Sequence, residues 1–128
     1  MAGARLAAVV VLVPDYAAGI AFFTGVLGFA LLEDTDLGGG KRWVRVGPPG
    51  GGSDILLARA SDGRQQAAIG QQTGGRVGFF LHTDDFARDH AAWRDRGLQF
   101  LEAPRHESYG TVAQFADPWG NRWDLIGP

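Results

Sequence analysis

The hydrophobic positions of this chain fall into two similar blocks. Each opens with a short apolar run of strand length, Val9-Val10-Val11-Leu12-Val13 in the first and Phe79-Phe80-Leu81 in the second, followed by an Asp and a stretch compatible with a helix. Asp15 lies 70 residues before Asp85, and Gly28 lies 69 before Gly97. A period that long, occurring twice, marks a duplicated module rather than a solenoid. Asp15, and either Asp84 or Asp85, are predicted helix N-caps. In the first helix Ile20, Phe23 and Leu27 share one face and Gly28 ends it; in the second, Phe86, His90, Trp93 and Arg94 precede Gly97, with His90 read as an amphipathic edge residue.

Three strands are predicted after each helix, at 30–33, 41–46 and 54–60 and again at 99–102, 111–116 and 121–126. The glycine-rich segments 36–40 and 47–53 read as turns: neither runs from a strand into a helix with a following Lys-Ser or Lys-Thr, as a phosphate loop would. Residues 61–75, rich in Gln, Gly and Ala, read as a linker with one helical turn near 65–69. The expected fold is α+β, a single domain over 1–128. Two βαβββ modules, approximately 5–60 and 76–127, form a partly open mixed-sheet barrel with outer helices around a cavity.

Composition narrows the chemistry. A chain of 128 residues buries about two-thirds of its unfolded surface and needs no disulfide or metal to fold. With no cysteine there is no thiolate nucleophile and no zinc–thiolate site, and a reducing cytoplasm suits the chain. A net charge of −2 without a basic stripe argues against nucleic acid as a partner. The apolar run at 6–13 is too short to span a membrane, and its repetition at 79–83 assigns it to the fold.

Strand alternation sorts the side chains. If Val9, Val11 and Val13 pack under the helix, Ala8, Val10 and Leu12 face the cavity; likewise Phe79 and Leu81 pack while Gly78, Phe80 and His82 face it. The same reading leaves Trp43 and Arg45 inward on one strand and Arg122, Asp124 and Ile126 inward on another. Apolar walls carrying a few placed charges suit a small organic molecule, aromatic or acidic. His82, polar on an apolar strand, is read as a general base, a ligand donor or a wall histidine. The segment 104–110 is predicted to be a loop at the cavity mouth, where Arg105 offers a fork for carboxylates and Tyr109 a flat amphipathic ring.

The duplicated βαβββ order, Val13-Pro14-Asp15-Tyr16 leading into the first helix, Val26-Leu27-Gly28-Phe29 leaving it, and Asp117-Pro118-Trp119-Gly120-Asn121-Arg122-Trp123-Asp124-Leu125 near the C-terminus together resemble the vicinal-oxygen-chelate superfamily. That superfamily includes glyoxalase I, bleomycin-resistance proteins, fosfomycin-resistance transferases, extradiol dioxygenases and methylmalonyl-CoA epimerase. The resemblance implies a glyoxalase-like fold and a homodimer, but not one function. Its metal-dependent members place His, Gln or Glu on the inward faces of the first and last strand of each module. The corresponding positions here are Ala8, Leu56, Gly78 (or Arg76) and Asp124, which supply one carboxylate where a catalytic metal needs about three ligands. No metal and no cofactor are therefore expected. The resemblance also implies that Asp124 lies on the strand beside His82, where the two could pair as a proton-transfer dyad.

The expected function is cofactor-free binding of a small molecule by a cytoplasmic homodimer. The alternative is a lyase, isomerase or dioxygenase of the same superfamily, using a non-standard metal site or His82 with Asp124. The third reading is an accessory domain that binds another protein.

Overall fold

In the computed structural model, which describes residues 2–128, the first apolar run forms β1, Ala8–Val13. Pro14 ends it, and Asp15 in extended conformation caps α1, Tyr16–Ile20, its Oδ1 accepting from the amide of Ala18 at 2.7 Å. Gly19 lets α1 lie close on the sheet, since a Cβ there would meet Leu57 Cδ1 at 2.9 Å and Val13 Cγ1 at 3.3 Å. The helix then widens into a π-helical segment, Ala21–Val26. The Thr24 hydroxyl donates to the Ile20 carbonyl at 2.7 Å, and the Leu27 amide reaches back five residues to Phe22. The widened turn buries Phe22 and Phe23 together, whereas regular spacing predicts a stripe of Ile20, Phe23 and Leu27. Gly28, at φ 73°, allows the Phe29 amide to close the helix on the Phe23 carbonyl at 2.8 Å.

The strands β2 (Ala30–Gly38), β3 (Lys41–Gly47) and β4 (Asp54–Arg59) complete a four-stranded sheet in the order β1-β4-β3-β2. β1 and β4 run parallel and the other pairs antiparallel. Val11, Val13, Val44, Val46, Ile55 and Leu57 fill the layer beneath the helix. The chain divides into two compact units, one ending at Gln66 and the other beginning at Ala67.

The second unit repeats the plan with β5 (Val77–His82), α3 (Phe86–Asp95), β6 (Gln99–Phe100), β7 (Arg105–Glu107), β8 (Gly110–Ala116) and β9 (Arg122–Gly127). Asp85 is the cap of α3, accepting from the Arg88 amide at 3.0 Å, while Asp84 pairs with the Arg88 guanidinium. The sheet order is β5-β9-β8-β6, with β5 parallel to β9, and neither sheet closes on itself. β7 is a correction: the charged segment Arg105–Glu107, predicted as loop, hairpins onto β8 and adds a strand to the module. Trp123 is buried at the centre, stacked on Phe79 at 4.3 Å and on Phe115 at 5.8 Å. His90 packs between Phe86 and Phe100, and burial, reinforced by Arg94, lowers its pKa.

Between β8 and β9 the buried Asp117 collects four donors: the amides of Trp119 (3.1 Å) and Asn121 (2.9 Å), Asn121 Nδ2 (2.8 Å) and Trp123 Nε1 (3.1 Å). Burial pushes this carboxyl above the usual range, and the four donors pull against that rise. Among the described residues no helix is long and apolar enough to cross a membrane.

Residues 61–75 are more ordered than a linker composition predicts. They contain an intervening helix, α2 (Gly63–Ala68), and Gly70 is buried at φ 72°. A Cβ on Gly70 would lie 1.9 Å from the Trp119 carbonyl oxygen, so the segment is pinned backbone to backbone against the Asp117 turn. Gly70→Ala is expected to cost at least about 2 kcal/mol in urea unfolding through strain and displacement of that turn. Gly63→Ala, where a Cβ meets nothing within 4 Å, is the control and is expected to be neutral to slightly stabilising. Equal stability of the two variants would contradict the pinning.

Candidate functional site

The helix-free face of the second sheet is built in rows, because residues opposite one another across a ladder share a face. The register sets His82 beside Ile126 and Ile126 beside Val112; one row along, Phe80 stands beside Asp124 and Asp124 beside Gln114; in the next, Arg122 faces Ala116. Rows are separated by two residues, about 6.6 Å. The intervening side chains Trp123, Leu125, Ala113 and Phe115 are all buried on the other face, under α3.

At the His82 end lies a recess of about 330 Å³ lined by His82, Thr83, Tyr109, Gly110, Ile126, Gly127 and Pro128. Its glycines are required by the approach of neighbouring backbone: a Cβ on Gly127 would sit 2.6 Å from the Thr83 carbonyl oxygen, and one on Gly110 would sit 3.0 Å from that of Gly127. Tyr109, which lines the recess, is 65% exposed, and Phe80, one row from His82 on the same face, is 60% exposed. For side chains whose burial releases about 25 cal/mol per Å², that is apolar area left uncovered within the chain.

The structure thus brings His82 together with Tyr109, and Asp124 with Phe80, Gln114 and Arg122. It does not join His82 to Asp124: they occupy adjacent strands in different rows, with no hydrogen bond between them. Gln114 and Glu102 belong to this surface and were not anticipated. A polar Gln114 between the buried Ala113 and Phe115 was the available signal, since alternation alone turns it outward.

The predicted arginines are largely engaged. Arg105 Nε donates to Glu102 Oε1 and its Nη1 to Glu107 Oε1, both at 2.9 Å; these bonds, with a further one to the Tyr109 hydroxyl, raise its already high pKa. Arg122 Nη1 donates to Gln114 Oε1 at 2.8 Å. On the first sheet's open face, Arg45 is held by Asp54 at 2.5 Å and by Glu33 at 3.5 Å, and those partners raise its pKa. Trp43 stands near it, 42% exposed, with Val10 at 43%.

The donor set does not fit a metal centre. Ala8, Leu56 and Gly78 bring no donor atom, and a Cβ on Gly78 would lie 2.5 Å from Thr73 Cγ2, so a side chain there would have to displace Thr73. No group of three or more His, Asp or Glu side chains is gathered as a metal would require among the described residues.

Asp124 carries the unusual electrostatics. Its Oδ1 is buried without a hydrogen-bond partner, and its pKa is raised, first by burial and then by Glu102, against the opposing pull of Arg105. A carboxyl whose folded pKa lies above its unfolded value costs stability once ionised; the cost is absent below the unfolded pKa and complete above the folded one. Asp124→Asn, permanently neutral, is therefore expected to raise Tm near pH 7 and to match the parent chain near about pH 3, below the ordinary carboxylate range. A lower Tm for the variant near pH 7 would show that the ionised carboxylate is stabilising.

Known proteins share this architecture and much of the sequence. The family model for the glyoxalase/bleomycin resistance protein/dioxygenase superfamily matches residues 5–125. An uncharacterized protein of Shewanella frigidimarina is 48% identical over 120 residues, covering 92% of this chain and 89% of that protein. Among solved structures, TnmS3, an antibiotic binding protein from Streptomyces sp. CB03234, is 30% identical with a TM-score of 0.80, covering all of this chain and 98% of that one. UcmS2 is 29% identical with a TM-score of 0.83, covering 98% of both chains. With the whole duplicated fold and nearly its full length matched, this chain belongs to the glyoxalase/bleomycin resistance protein/dioxygenase superfamily.

Proposed function

We propose that this protein binds a small organic molecule on the helix-free face of its second sheet, without a metal and without transforming it. The observation that carries the reading is the exposure of Phe80 and Tyr109 beside the His82 recess, a cluster of apolar area and hydrogen-bonding groups on a rigid sheet. The antibiotic-binding role of TnmS3 supports it, at 30% identity over the whole chain. The donor-poor metal positions support the cofactor-free part.

The proposal includes a homodimer in the cytoplasm. Val10 and Trp43 on the first sheet leave apolar area that association would cover, and a chain without cysteine is at ease in a reducing compartment. His82 acts in this reading as a hydrogen-bonding wall residue rather than as half of a dyad, because its row partner is Ile126.

A thermal-shift screen of small aromatic compounds is the test. Binders are expected to raise Tm, with the shift reduced at least about threefold in Phe80→Ala. They should be recovered chemically unchanged after prolonged incubation, with affinity unaffected by EDTA. Conversion of a binder to product, or loss of binding on chelation, would overturn the reading.

A further inference from the structure

Arg42, Arg45 and Arg105 each stand against a carboxylate: Arg42 against Asp34, Arg45 against Asp54 and Glu33, Arg105 against Glu102 and Glu107. Arg122 is held differently. Its Nη1 donates to Gln114 Oε1 at 2.8 Å, and among the described residues no carboxylate pairs with it. A neutral amide thus fixes the guanidinium without cancelling its charge, and leaves its other N–H groups to donate elsewhere. The same bond places the charge, because Gln114 shares its row with Asp124 and with Phe80, whose ring is exposed. Arg122 is exposed, whereas Asp124 is part-buried with its Oδ1 sealed, and Glu102 is taken by Arg105. Arg76, one residue before the Val77 that pairs with Arg122, brings a second cation to this end of the sheet. Neighbouring strands lie about 4.8 Å apart, so Phe80 and Gln114, two strands from each other, are separated by about 10 Å. A ligand that covers Phe80 and reaches the guanidinium is therefore elongated, with its polar group at one end.

We infer that Arg122 selects a planar aromatic carboxylate, its rings packed on Phe80 and its carboxylate on the N–H groups that Gln114 leaves open. This rests on the binding surface proposed above and names the chemistry it takes. Apolar burial on Phe80 is indifferent to charge and supplies affinity; the charge-assisted bonds at Arg122 supply the preference. A guanidinium fork matches both carboxylate oxygens, and since Gln114 already orients this one, little side-chain freedom is lost on binding.

The test compares 2-naphthoate with two neutral analogues, 2-naphthamide and 2-naphthol, by isothermal titration calorimetry near pH 7, in the parent chain and in Arg122→Met. The parent is expected to bind 2-naphthoate at least about fivefold more tightly than either analogue. In Arg122→Met, which keeps an unbranched apolar stem, the preference should fall to near unity while affinity for 2-naphthamide is kept. Equal affinities in the parent chain, or a preference for a neutral analogue, would overturn the Arg122 assignment and leave the binding surface standing. A naphthoate preference that survives Arg122→Met would do the same. Failure of all three compounds to bind would overturn the assignment and the surface together. The parent comparison decides the matter even where the variant does not fold.

Discussion

Asp117 holds the second unit in phase. Its buried carboxylate takes four hydrogen bonds from Trp119, Asn121 and Trp123, and one of them comes from the indole of the largest side chain in the core. That bond fixes which way Trp123 turns. With Trp123 inward, the two-residue period of β9 sends Leu125 inward as well and turns Arg122, Asp124 and Ile126 to the open face. A slip of one residue would bury Asp124 and expose the indole. Gly70, pressed on the Trp119 carbonyl, holds the same turn from outside.

The open face that results carries Arg122, whose guanidinium donates to the neutral Gln114. Its neighbouring cation, Arg105, is engaged by Glu102 and Glu107, and on the other sheet Arg45 is engaged by Asp54 and Glu33. What stands exposed is aromatic surface at Phe80 and Tyr109, while the unpaired Oδ1 of Asp124 is buried. His82 and Asp124 stand in different rows of this face and share no hydrogen bond.

Much of this was legible in the sequence because it rests on short-range periodicity. Repetition exposed the two modules, Asp15 and the Asp84-Asp85 pair announced their helices, and alternation placed Trp43, Phe80, His82, Arg122 and Asp124 on the helix-free faces. What escaped depends on contacts distant in sequence or on local departures from a period. The π-helical turn that buries Phe22 is a local departure from the 3.6-residue period, accompanied by the Thr24 hydroxyl bond to the Ile20 carbonyl. β7 carries no apolar alternation and is braced by ion pairs instead. The engagement of Arg45 by Asp54 spans two strands, and the offset between His82 and Asp124 is a matter of ladder register, which no composition reveals.

The central claim is that the ligand surface lies on the helix-free face of β5, β9 and β8. Backbone amide chemical shifts of the isotopically labelled protein, followed by NMR as 2-naphthol is added, test it most directly. The account predicts the largest changes at Phe80, His82, Gln114, Asp124 and Ile126. Changes concentrated on α3, or on the first sheet around Val10, Trp43 and Leu56, would contradict it.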